Sequence, residues 1–153
     1  MPNGLALATL ILVACLVLSY VITLILSLFV SPSHTKVEDL EKIVKKLKLK
    51  KGDTFVDLGC GDGRVVFAVA KKFKDVNCIG YEISPIHIML AKLSKCLLFP
   101  FSKRVQIIPE DFTKADLSDV DAFYINWGNR VSPKLKRLRK KLKKKKGIRV
   151  VEL

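Results

Sequence analysis

The chain has 153 residues, a formal net charge of +14, and a composition that is half hydrophobic. This length favours one domain, and the charge predicts an anionic partner: membrane headgroups, nucleic acid or acidic proteins. The four scattered cysteines lack the spacing of a metal site or a disulfide framework, so we predict no metal.

The first 35 residues contain no Asp, Glu, Lys or Arg. Within them, Gly4 to Val30 is an uncharged run long enough to cross a bilayer as one helix. A cleaved signal peptide fits less well, because the run lacks a basic start and an A-x-A-like site before Ser31. Basic residues follow the run and none precedes it. We therefore predict a single-pass membrane anchor over residues 4–30, with the rest of the chain on the cytoplasmic side.

Residues 31–153 form the predicted soluble domain. Pro32 is expected to stop the membrane helix, and Ser33 or Thr35 can cap the helix that follows. That helix carries apolar residues at helical spacing, and they predict a buried face. They are Val37, Leu40, Ile43, Val44 and Leu47.

The segment Thr54–Arg64 reads TFVDLGCGDGR. It predicts a short buried strand that ends near Asp57, then a glycine-rich turn, then a helix from Val65 to Phe73. Glycines at alternate positions let the backbone come close to a ligand, and a strand's carboxyl end beside a helix start is where α/β sheets bind ligands. The spacing D-x-G-x-G-x-G differs from the dinucleotide pattern and from a P-loop.

A second strand is predicted over Cys78–Glu82, with an acidic residue at its end. Glu82 lies about 20 residues after Gly59, near the spacing at which an acidic residue meets ribose hydroxyls. The alternative is a solvent-exposed strand-end carboxylate. Ser84 and Pro85 start the next helix, whose core face is predicted to contain Ile86, Met89, Leu90, Leu93 and Leu97.

A third strand, Val105–Ile108, is followed by Asp111 and Phe112. Asp111 can accept a hydrogen bond from an adenine amino group, and Phe112 can pack on the ring. Read alone, Asp111 is a turn residue.

A fourth strand over residues 121–128 brings Asn126 and Trp127 beside the glycine turn, and Trp127 could instead be a packing residue. Alternation along this strand is expected to point Tyr124 away from the site. A fifth strand begins at Ile148.

A helix is predicted over Pro133–Lys146, and most of its residues are basic. The ordinary interpretation is a solvated helix face. The density of charge favours contact with anionic lipid. Nucleic acid is a less favoured partner.

The chain order of these motifs resembles the class I S-adenosylmethionine (SAM) methyltransferases. DLGCGDGR and GYEISP are similar to the seven-strand protein-lysine methyltransferases, a group with archaeal and membrane-anchored members. The resemblance implies an α/β, Rossmann-like doubly wound sheet of order 3-2-1-4-5, here lacking strands six and seven, with SAM as cofactor. The implied cofactor-binding residues are Asp57, Gly59, Cys60, Gly61, Gly63, Glu82, Asp111 and Phe112.

Within that set, the resemblance places the glycines along the methionyl part of SAM and Asp57 near its amino group. Glu82 would hold the ribose and Asp111 the adenine amine. Asn126 and Trp127 would be the catalytic residues that orient the acceptor amine.

The resemblance further implies a membrane-anchored methyltransferase acting on a lysine of a membrane or membrane-adjacent protein. A lipid amine or RNA is an alternative acceptor. A catalytically inactive, basic membrane-surface adaptor is an alternative of another class.

Overall fold

The computed structural model describes residues 4–29, 35–126, 133–144 and 147–152. The chain divides into two compact units, residues 1–32 and residues 33–153. The first contains helix α1 (Gly4–Phe29), where the sequence predicts a helix. Among the described residues, however, no helix has the length and apolarity needed to cross a bilayer. The predicted transmembrane assignment therefore has no support from the structure.

The second unit is built on a five-stranded, wholly parallel sheet. Its strands are β1 (Thr54–Leu58), β2 (Asn77–Tyr81), β3 (Val105–Ile108), β4 (Ala122–Ile125) and β5 (Arg149–Glu152). They lie in the order β3-β2-β1-β4-β5, which confirms the predicted Rossmann-like order. Asp57 of β1 pairs with Gly80 of β2 and with Tyr124 of β4, so the carboxyl ends of the three central strands meet at one edge.

Two helical layers cover the sheet. The helices are α2 (Val37–Leu47), α3 (Arg64–Lys72), α4 (Pro85–Leu98) and α5 (Pro133–Lys144). Side chains alternate along each strand, so Phe55 joins one core cluster and Val56 the other. The first cluster contains residues of α2, α3 and α4, and the second contains Leu142 of α5. Helix α4 and helix α5 therefore lie on opposite faces of the sheet.

Helix α2 packs as the sequence predicts, with Ile43 and Leu47 fully buried. Its predicted cap is wrong for Thr35, because the N-cap residue is Lys36 and no side chain caps the helix. The Thr35 side chain instead contacts β4, as described below. Ser33, the other predicted cap, lies outside the described residues.

The predicted core face of α4 is also wrong. Ala91 is the α4 residue that is fully buried, whereas Met89 and Leu93 are each 58% exposed and Leu97 is 74% exposed. The helix turns the small Ala91 side chain inward, which lets it approach the first core cluster closely. Its main contacts are with α3 and with the edge strand β3, so neighbours cover one side of it.

Candidate active site

The glycine-rich turn after β1 has the backbone conformation that the sequence predicts. Gly59, Gly61 and Gly63 have φ values of 91°, 55° and 83°, in the left-handed region that favours glycine. The N–H groups of Gly59 and Cys60 both donate to the Tyr81 carbonyl oxygen, at 3.0 and 2.9 Å. The turn is therefore fixed against the end of β2.

Two of these glycines have different surroundings. A Cβ atom on Gly63 would lie 2.6 Å from the Phe67 ring, so this glycine allows α3 to begin directly after the turn. A Cβ atom on Gly61 would meet no described atom within 4 Å. Gly61 therefore borders open space, where a ligand can approach the backbone.

The Cys60 side chain points into the core. It is 6% exposed, and a Cβ atom on Gly80 would lie 2.6 Å from its Sγ atom. Burial, helped by the charges of Asp57 and Glu82, raises the pKa of the Cys60 thiol well above its usual range. Contact between Cys60 and a cofactor would therefore involve its backbone. Gly80 is not among the residues predicted from the sequence, although a glycine inside a strand is itself a signal of close packing.

Glu82 is buried and ties the glycine turn to the start of α4. Its Oε2 atom accepts a hydrogen bond from the Gly61 N–H at 2.8 Å. Its Oε1 atom accepts from the N–H groups of Ile83 and Ser84, at 2.8 and 2.9 Å. A carboxylate has about four acceptor positions, so these three bonds leave capacity for one further donor. Ribose binding by Glu82 stays a prediction.

Asp57 is 2% exposed, and no hydrogen bond reaches its carboxylate from the residues that the structure describes. Burial raises the pKa of Asp57 well above its usual range, and the charges of Glu82 and Asp62 add to this effect. A buried carboxylate without a partner is costly. A cationic group bound beside Asp57 would offset that cost.

Arg64 connects the turn to the segment before α2. Its guanidinium pairs with Asp62 at 2.6 Å and also donates to the Thr35 carbonyl oxygen at 3.1 Å. Arg64 occupies the position where a dinucleotide motif would have its third glycine. No role for this side chain is predicted from the sequence.

Thr35, Tyr124 and Asn126 form a polar cluster beside Asp57. The hydroxyl groups of Thr35 and Tyr124 lie 2.9 Å apart, and the Asn126 Nδ2 atom lies 3.4 Å from the Thr35 Oγ1 atom. The expectation that Tyr124 points away is wrong, because Tyr124 and Asn126 are two residues apart and share one face of the strand. Burial, with a contribution from the charge of Asp57, raises the pKa of Tyr124. Tyr124 therefore remains neutral at physiological pH and cannot serve as a base.

The remaining predicted residues are placed as follows. Asp111 accepts a hydrogen bond from the Thr113 N–H at 2.9 Å, which is the geometry of a turn. Phe112 packs against the second core cluster and lines a cavity of about 430 Å³ beside α5. Trp127 lies outside the described residues. The adenine-binding and catalytic roles of these residues stay predictions.

The geometry fits SAM. The open side of Gly61 allows a ligand to lie against the turn. Asp57, Asp62 and Glu82 give this corner a negative potential, which suits a ligand with a cationic amino group and a sulfonium.

Comparison with known proteins agrees with this assignment. Residues 57–153 match the family model described as "ANTKMT methyltransferase domain". The chain is 33% identical over 118 residues to a protein-lysine N-methyltransferase of Saccharolobus islandicus, which covers 72% of this chain and 70% of that protein. It is 44% identical over 54 residues to a human lysine N-methyltransferase named for an ATP synthase component, which covers 35% of this chain and 21% of that protein.

A solved structure gives the same fold. An RNA methyltransferase from Salinibacter ruber, in complex with S-adenosyl-L-homocysteine, superposes with a TM-score of 0.61 at 23% identity. The match covers 71% of this chain and 68% of that one.

Proposed function

The chain belongs to the ANTKMT methyltransferase domain family, a family of SAM-dependent enzymes, and from that premise we propose that it methylates a lysine side chain of a protein. The observation that carries the lysine acceptor is the 33% identity to the archaeal protein-lysine N-methyltransferase, which extends over most of this chain. The human relative, also a lysine N-methyltransferase by name, supports the same acceptor.

The residues around the glycine turn would hold the cofactor, whose sulfonium supplies an electrophilic methyl group when bound. Gly61 allows close approach of the ligand to the backbone. Asp57 provides a buried negative charge for a cationic amino group, and Glu82 keeps the turn in place. In this role Glu82 acts first on the protein's own backbone and has one acceptor position left for a hydroxyl group.

The acceptor side of the proposed site is the cluster of Thr35, Tyr124 and Asn126. A lysine ammonium must lose its proton before it can attack the methyl group. The neutral Tyr124 hydroxyl and the Asn126 amide can hold the resulting amine by hydrogen bonds without charging it. Correct orientation of the reacting groups supplies much of the rate enhancement in such a displacement.

Methyl transfer from tritiated SAM into cell extracts tests this proposal, with methylated residues identified by mass spectrometry. We expect label on lysine side chains with the wild-type protein. Gly61→Arg should abolish it, because the new side chain occupies the open space at the turn. This control also tests the inactive-adaptor alternative, which predicts no difference between the two proteins. Label that survives protease digestion would contradict a protein acceptor.

RNA and lipid amines remain the alternative acceptors, and the observation that favours them is the net charge of +14. The same labelled sample separates the three. RNase-sensitive label would identify RNA, and label that extracts into organic solvent would identify a lipid.

We also propose that the protein works at a membrane, with its catalytic unit on the cytoplasmic side. This proposal rests on the sequence alone: the uncharged run over residues 4–30 and the basic residues that follow it. Extraction of membranes at alkaline pH, followed by protease protection, tests it. Release of the protein into the soluble fraction would contradict an anchor.

The basic surface of α5 is proposed as a contact for anionic lipid. Its exposed residues are Lys136, Arg137, Lys140, Lys141, Lys143 and Lys144. Leu138 and Leu142 pack against the core, so this contact would be electrostatic. Such binding should weaken strongly as the salt concentration rises.

A further inference from the structure

The outward face of α4 is an apolar surface, which we call the α4 apolar surface. It consists of Met89, Leu90, Leu93, Leu97 and Phe101, the last just beyond the helix. Leu97 is 74% exposed and Phe101 is 96% exposed. Met89, Leu93 and Leu97 are spaced four residues apart, so they form one continuous stripe along the helix.

Single exposed apolar residues are normal on a protein surface, whereas a continuous apolar stripe marks an interface. Helix α4 has no reason of its own to turn this stripe outward. With Ala91 inside, its opposite face already meets the core. The stripe therefore needs a partner with an apolar surface.

The charges around the stripe identify the partner. No acidic residue occurs anywhere between Ile83 and Pro109. Lys92 and Lys103 are exposed on the same segment, and the chain as a whole carries a charge of +14. Exposed Leu and Phe with flanking lysines is the pattern of a helix that lies in the headgroup region of an anionic membrane.

We propose that the α4 apolar surface inserts into the interface of an anionic membrane, with Lys92 and Lys103 at the lipid headgroups. This contact is distinct from the proposed electrostatic contact of α5. Because α4 and α5 cover opposite faces of the sheet, one flat bilayer cannot touch both. Membrane insertion of α4 would turn α5 away from that bilayer.

Insertion of α4 would also position the cofactor corner. Ser84, the N-cap of α4, lies two residues after Glu82 and donates its N–H to the Glu82 carboxylate. The inserted helix would therefore start beside the cofactor corner. An acceptor lysine close to the headgroups would lie at the right height for this corner. Insertion of α4 requires neither the N-terminal helix nor methyl transfer itself.

A fluorophore on α4 tests the proposal. Cys96 is exposed on the same side of the helix as Met89, seven residues earlier, whereas Cys60 and Cys78 are buried. In the full chain with Cys15→Ser, a polarity-sensitive fluorophore on Cys96 would report this face alone. The membranes are vesicles of phosphatidylcholine and phosphatidylserine, with spin-labelled lipids as quenchers.

We expect a blue shift of the Cys96 fluorophore on addition of vesicles, and quenching by lipids labelled near the headgroup. Leu93→Asp should abolish both. A matched protein carries the fluorophore on α5 instead, through Lys140→Cys with Cys15→Ser and Cys96→Ser. Its emission should stay that of a water-exposed label.

Two results would overturn the proposal. One is a Cys96 fluorophore that remains in water while the protein sediments with the vesicles. The other is a blue shift without vesicles that grows with protein concentration, which would mean that a second copy covers the surface. Methyl transfer to lysine is measured separately on the same proteins, so failure of the lysine proposal leaves these fluorescence results unchanged.

Discussion

Helices α3 and α4 have the same place in the fold pattern but different surroundings. Each follows a strand end at the acidic corner and leads to the next parallel strand. Helix α3 buries Val66, Val69 and Ala70 completely, whereas α4 buries Ala91. Helix α3 is covered by α2 and α4 and packs on the central strands, while α4 lies over the sheet edge at β3. A crossover helix is thus covered on several sides at the centre of a layer and on one side at its margin.

Matched charge substitutions would break this comparison if it is wrong. Val66→Asp places a carboxylate at a position with zero exposure, and we expect it to cost about 4 kcal/mol or more of unfolding free energy. Leu93→Asp puts the same group on the outer face of α4. It should change stability by about 0.5 kcal/mol or less. Urea unfolding of both full-length variants gives the two values.

Equal destabilisation by the two substitutions would contradict the comparison, since it would mean that Leu93 is buried in the folded protein. Leu93→Asn serves as the uncharged control on α4. It should behave like Leu93→Asp when no membrane is present, because the site is exposed on both accounts.

Much of the fold follows from the sequence. Period-two and helical patterns identify all five strands and the order of elements, and the buried positions of α2 and α3 agree with their apolar stripes. The face of α4 could not be predicted in the same way. Its apolar residues occur nearly all around the helix, so the position of the helix at the sheet margin decides which side is covered, and the sequence does not contain that position.

The cofactor corner is also only partly readable. The glycines, Asp57 and Glu82 follow from local spacing, because turn and strand end are adjacent in the chain. The contact of Thr35 with Tyr124 joins residues 89 positions apart. No local pattern indicates it, and an N-cap is the usual role of a threonine before a helix.

Substitutions in the turn that starts α3 should separate structural from ligand-binding glycines. Gly63→Ala forces a positive φ on a side chain that would lie 2.6 Å from Phe67, so we expect a loss of about 2 kcal/mol. Gly61→Ala meets open space and should cost about 1 kcal/mol, the penalty of the left-handed backbone. Urea unfolding and SAM titration are measured on both. A larger stability loss for Gly61→Ala would contradict this ranking.

The clamp between Arg64 at the start of α3 and Thr35 gives a smaller effect. Thr35→Val keeps the shape but removes the hydroxyl partner of the buried Tyr124 OH, and the expected cost is about 1 kcal/mol. Turnover of the lysine acceptor should fall while SAM affinity is unchanged, because the Arg64 contact is to the Thr35 backbone. Thr35→Ser should restore turnover. Weaker SAM binding by Thr35→Val alone would argue for a general structural role.

The smallest expected effect is a gain in stability, and it comes from the carboxylate below the start of α3. The pKa of Asp57 is raised in the folded state, so its contribution is fully present below the unfolded-state pKa and is lost as the pH rises through the folded-state pKa. Asp57→Asn removes a buried charge at neutral pH, and the melting temperature without SAM should rise slightly above that of the wild type. The difference should vanish at acidic pH, where the wild-type carboxyl is protonated. Saturating SAM should reverse the order at neutral pH, because Asn cannot pair with a cationic amino group. A variant that melts lower than the wild type in the absence of SAM would show that another group of the protein already neutralises Asp57, and the argument that this corner is built for a cationic ligand would lose its physical basis.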